Sequence, residues 1–94
     1  MTERSKLHVK IRYCPRCKWL LRAAWYAQEL LSTFESELAG VTLSPAPEAG
    51  VFTIHVGETV VLDRAVDGFL EAKEIKRKIR DVVAPDRALG HIDG

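Results

Sequence analysis

Seven consecutive residues, Leu7-His8-Val9-Lys10-Ile11-Arg12-Tyr13, alternate between apolar and polar side chains, and the alternation stops at Cys14-Pro15. A period of two belongs to a β-strand with one dry face and one wet face. Leu7, Val9, Ile11 and Tyr13 are expected to point to a core, and His8, Lys10 and Arg12 to water. No other stretch restricts the fold so strongly. A central strand covered by helices on both faces reads as a continuous apolar run. This strand therefore belongs to a sheet with helices on one face only, a two-layer α/β domain.

Beyond Cys14 the period lengthens. Leu20, Ala24, Ala27, Leu31, Phe34 and Leu38 recur at three and four residues, the spacing of a helical stripe, and Leu21 and Trp25 widen it. Pro15 suits a first helical turn and Gly40 a stop, which predicts a helix of about six turns. Val41-Thr42-Leu43 reads as a short strand and Ser44–Gly50 as a loop. Val51–Val56 and Thr59–Asp63 read as strands joined by Gly57-Glu58, a pair suited to a type II′ hairpin. After a turn at Asp67-Gly68, Leu70–Val83 forms a last helix with Ile75, Ile79 and Val82 inward. Its run of Lys73, Lys76, Arg77, Lys78 and Arg80, interrupted by acids, reads as a solvated face. Residues 1–6 and 85–94 are expected to be flexible ends.

The resulting order is β-α-β-β-β-α. A strand-helix-strand unit gives a parallel crossover and a two-residue turn an antiparallel hairpin. Together they make a mixed four-stranded sheet with both helices on one face, the minimal thioredoxin-like arrangement. With 94 residues the chain is expected to form a single domain, residues 1–94. Its net charge of +1 asks for neither nucleic acid nor an anionic membrane as partner. The sequence shows neither the long apolar run of a membrane span nor a secretory signal, which leads to the expectation of a cytoplasmic protein.

The chain has only two cysteines, Cys14 and Cys17. Two residues so close cannot staple distant segments, so the pair reads as catalytic or metal-binding rather than structural. Its expected place, between a strand and the N-terminus of a helix, favours an anion. The thiolate is the reactive form of cysteine, and Arg12, Arg16 and Lys18 are candidates to stabilise it. One sulfur attacks a disulfide and the other resolves the mixed intermediate. A structural zinc site needs four ligands. The three histidines do not supply them convincingly, because His8 and His55 fall on the wet face of the sheet and His91 in the tail; no metal is expected.

The strand ending in Tyr13, the Cys14-Pro15-Arg16-Cys17 motif, the long helix, the Gly50-Val51-Phe52-Thr53-Ile54 strand, Asp67-Gly68-Phe69 and a basic final helix resemble the selenoprotein T/W/H (Rdx) family. The closest branch is that of bacterial selenoprotein W-like proteins with cysteine in place of selenocysteine. The resemblance spans about Leu7 to Val83. It implies a thioredoxin-like fold and a redox-active Cys-x-x-Cys, with Cys17 where animal members carry selenocysteine. It also implies thiol-disulfide exchange in cell redox homeostasis, with glutathione as a co-substrate or with protein thiols and disulfides as partners. Thioredoxins place a cis-proline before the antiparallel strand; here Gly50-Val51 stands in that position. Gly50, Val51, Asp67, Gly68 and Phe69 are expected to rim the site. Helix electrostatics favour Cys14 as the attacking sulfur, whereas family position favours Cys17; the first hypothesis takes Cys14 as nucleophile and Cys17 as resolver. A redox-sensing interaction module without turnover is the alternative function.

Overall fold

The structure is a computed structural model that describes residues 6–90. Four strands, β1 (Leu7–Tyr13), β2 (Leu38–Pro45), β3 (Phe52–Val56) and β4 (Thr59–Asp63), form one sheet in the order β2-β1-β3-β4. β1 runs parallel to β2 and antiparallel to β3, and β3 and β4 form an antiparallel hairpin. Helix α1 (Leu20–Thr33) connects β1 to β2, and the short α2 (Arg64–Asp67) and longer α3 (Ala72–Val83) follow β4. The fold is the expected mixed α/β sheet, and α1 and α3 cover one of its faces.

Burial follows the pleat. Val9, Ile11, Phe52, Ile54 and Val56 are buried, while Lys10 is exposed and Arg12, Thr53 and His55 are half-buried between them. Leu7, at the start of its strand, lies outside the core. On the open face the register sets Thr42, Lys10 and His55 side by side, and next to them Ser44, Arg12 and Thr53. At the hairpin Gly57 has φ 58°, and Glu58 is not among the positive-φ residues, the pattern of the expected type II′ turn.

The helix after Cys17 departs from the expected one at both ends and in phase. Residues 15–18 form a turn closed by the Lys18 amide donating to the Pro15 carbonyl at 3.1 Å, and Lys18 takes a left-handed φ of 60°. That backbone cannot continue as a helix, so α1 begins at Leu20 and is 14 residues long. Leu38 and Gly40 belong to β2 instead of the end of the helix, and the strand runs on through Ser44 and Pro45. The buried side of α1 is Ala23, Tyr26, Ala27 and Leu30, continued by Phe34. Leu20, Leu21, Trp25 and Leu31 are exposed. The segment is apolar nearly all round, so the sequence period does not fix its phase. The packed face carries two alanines, which let the helix approach the sheet closely.

The final helix starts at Ala72 rather than Leu70, with Glu71 in extended backbone as its N-cap, and the short α2 lies ahead of it. Asp63 accepts from the Ala65 amide and Asp67 accepts from the Asp63 amide, a reciprocal cap that defines this single turn. On α3, Ile75 and Ile79 are buried and Val82 is partly so. Lys76, expected on a solvated face, is buried and pairs with Glu29 of α1 at 2.9 Å. The expected flexible end is, as far as residue 90, packed against the domain. Leu89 is 3% exposed, Arg87 pairs with Glu37 at 2.9 Å, and Arg80 donates to the Arg87 carbonyl. Residues 1–5 and 91–94, with His91 and most of the expected N-terminal flexible segment, lie outside the described residues. Among the described residues no helix is long and apolar enough to cross a membrane.

Candidate dithiol site

Cys14 is the first residue after β1, at the C-terminal end of this interior strand and next to the buried Tyr13. The 15–18 turn then folds the chain back, and the Cys17 amide donates to Cys14 Sγ at 3.2 Å. Both cysteines are free. Across the site lies Gly50, with φ 78°, whose amide faces both sulfurs. Arg64, the first residue of α2, fixes Gly50 from behind. Its Nε and Nη2 donate to the Gly50 carbonyl at 3.2 and 3.0 Å, and its guanidinium lies 5.1 Å from the centre of the Trp19 ring.

Trp19 stands edge-on to Phe52 and Phe69, with ring centres 6.1 and 5.1 Å away, and Phe52 and Phe69 meet at 5.1 Å. Arg22 lies over the far ring, 4.1 Å from the Phe69 centre. Tyr26 extends the cluster to 5.8 Å from Phe52 and donates its hydroxyl to the Leu70 carbonyl. Burial pushes the Tyr26 phenol up from its ordinary range, so it remains a donor at neutral pH.

The two thiols are driven apart. Cys14 is held below the ordinary thiol value of 9.0 by the hydrogen bond it accepts from the Cys17 thiol, and further by the amides of Gly50, Cys17 and Arg16, with burial opposing. Cys17 is raised above 9.0, first because it donates to Cys14 and then by burial; the Gly50 amide and the Arg64 charge offset part of this. The pair thus gives up its first proton more readily from Cys14 than from Cys17. Access is distributed the other way. Cys14 is only 1% exposed, whereas Cys17 is half-buried. The lowered thiol pKa and the accessibility are divided between the two sulfurs.

The cations expected to tune the thiolate sit elsewhere. Arg12 reaches Glu48 at 3.4 Å on the open face of the sheet. Arg16 acts through its backbone amide, and its side chain is exposed. Lys18 is exposed at the left-handed corner. Arg64 supplies a charge near Cys17, and no sequence spacing marks it, because only the hairpin and α2 return it to Gly50. The expected rim is partly a contact shell. Gly50 turns its amide toward the sulfurs, Val51 is half-buried beside it, and Phe69 closes the aromatic cluster. Asp67 caps α2, and Gly68, with φ 71° and nothing within 4 Å of an added Cβ, serves the turn. His8 bonds to Thr42 and His55 to Thr53, both away from the thiols. Among the described residues no three His, Cys, Asp or Glu come together as a metal site.

The sequence model of the Rdx family matches residues 8–81. Two solved structures superpose closely. A protein of Bordetella parapertussis is 51% identical, covering 83% of this chain and 99% of its own with a TM-score of 0.79. A selenoprotein W-related protein of Vibrio cholerae is 40% identical, covering 84% of this chain and 99% of its own with a TM-score of 0.81. The comparison with curated proteins gave no match. A family pattern that runs from β1 into α3, and relatives that share the fold over nearly their whole length, leave one assignment: the chain belongs to the Rdx family.

Proposed function

We propose that Cys14 and Cys17 carry out thiol-disulfide exchange, in cytoplasmic redox homeostasis, with glutathione or a protein thiol as the returning reductant. Rdx membership assigns a redox-related role in general. The specific reading rests on one observation: the covered Cys14 sulfur accepts the Cys17 amide at 3.2 Å, with the more exposed Cys17 thiol on the adjoining turn. The accessible Cys17 makes first contact. It passes its proton to the Cys14 thiolate and attacks one sulfur of the substrate disulfide, whose other sulfur leaves as a thiolate. That thiolate takes the proton from Cys14. Cys14 then attacks Cys17 Sγ, closing the protein disulfide and releasing the second substrate thiolate. Two electrons leave the dithiol and two substrate thiols result; two equivalents of the thiol reductant restore the reduced pair.

The test is alkylation with iodoacetamide between pH 4 and 10, with the modified residue mapped by mass. Cys17, the more exposed sulfur, is expected to react first, in a profile displaced above 9.0. Cys14→Ser should bring that profile back down toward 9.0, because the neighbour whose hydrogen bond and charge raise Cys17 is gone. Two thiols that titrate independently at ordinary values would sink the reading. A redox potential measured against glutathione then decides whether that couple is a feasible partner.

A further inference from the structure

The outward side of α1 is unusually apolar for a solvated face. Leu21 is 83% exposed and Trp25 46% exposed, one helical turn apart and opposite the buried Ala23, Ala27 and Leu30. With Lys18, Trp19 and Arg22 these residues line a shallow groove of about 390 Å³. That volume is in the range of ligand sites, roughly 300–1,000 Å³. The groove starts at Lys18, the residue after Cys17, and its wall is the Trp19 ring that packs under Arg64. Its charge has one sign. Lys18 and Arg22 line it with no acid, and the sequence has no Asp or Glu between Glu3 and Glu29.

We infer that this groove is a docking subsite for the segment flanking the disulfide of a protein substrate, a segment carrying an apolar side chain next to carboxylates. The apolar side chain lies on Leu21 and Trp25, and the carboxylates meet Lys18 and Arg22. A small hydrophilic disulfide has nothing to cover Leu21 with, whereas a peptide segment buries it while its charges remain paired at the rim. The inference rests on the exchange reading above and adds the class of substrate. Binding through the groove then sets the substrate sulfur opposite Cys17, the sulfur adjoining the groove, and leaves Cys14 covered.

The experiment uses the whole protein and short labelled peptides followed by anisotropy. One peptide has Leu and Glu flanking a serine in place of the reactive cysteine, and its counterpart has Lys for Glu. The acidic peptide should bind, more weakly as salt rises, and the basic one should not. Leu21→Ser removes only an exposed side chain and should weaken the acidic peptide about tenfold. It should leave iodoacetamide alkylation of Cys17 unchanged. In disulfide form, the acidic peptide should be reduced with a lower KM than the basic one, and Leu21→Ser should raise that KM while sparing hydroxyethyl disulfide. Equal affinity for the two peptides, indifference to Leu21→Ser, or full displacement by oxidised glutathione equally in wild type and variant would overturn the inference. The two proposals fail separately: binding of the inert peptide without any exchange removes the redox reading, and exchange of small disulfides without peptide binding removes the groove.

Discussion

At Cys14 and Cys17 the protonation of each sulfur is tied to folding, and the signs are opposite. Cys14 has its pKa lowered in the fold, so its thiolate contributes stability that is present above 9.0 and lost as pH falls through the lowered value. Cys17 has its pKa raised, so its contribution is present below 9.0 and lost as pH climbs through the raised value. Urea unfolding of the reduced protein is expected to show stability rising toward pH 9 and falling above it. Cys14→Ser should abolish the rise. Gly50 and Arg64 act on the same pair. Gly50→Ala forces an alanine into φ 78°, at a cost of about 1–2 kcal/mol, and displaces the amide from the sulfurs. Arg64→Met removes two hydrogen bonds to the Gly50 carbonyl and the charge near Cys17. Alkylation of Cys17 should then shift to higher pH than in the wild type, and Arg64→Lys should restore part of the shift by returning the charge without the fork.

Helix α1 shows how far an element's sequence determines its setting. Its existence follows from the apolar period, but its phase does not, because Leu20, Leu21, Trp25 and Leu31 compete with Ala23, Tyr26, Ala27 and Leu30 for the sheet. The strands were legible for the converse reason: β1 and β3 carry a period of two with only one apolar face. Helix α2 is a single capped turn, too short for any period, and its Arg64 reaches the site through a loop closure that spacing does not encode. Lys76 illustrates the same limit, since a lysine within a charged run gives no sign that Glu29 of another helix waits for it. Glu29→Gln should leave the buried ammonium unpaired. The loss, read by denaturant unfolding, should fall between about 1 kcal/mol for an exposed pair and about 3 kcal/mol for a buried one. The Glu29 side chain is 38% exposed, which keeps it below the upper figure.

The molecule closes its core with both ends of the described chain, β1 at the centre and residues 85–90 at the edge. Leu89 buries its side chain in the main cluster, and Arg87 spans to Glu37 and to within 5.5 Å of the Phe34 ring centre. Leu89→Ala is therefore expected to destabilise the domain by about 2–5 kcal/mol, seen as a lowered Tm, whereas a mobile tail would give no change.

The amide of Gly50 has one further consequence. Reduced, it faces Cys14, whose thiol is held below its ordinary value in part by this amide; oxidised, that sulfur belongs to a neutral disulfide and is a poor acceptor. Its rate of exchange with deuterated water then becomes a record of electron count at a position where no covalent bond changes. The backbone of a loop would report the chemistry of the cysteines, and slow exchange at Gly50 in the reduced protein should become fast on oxidation.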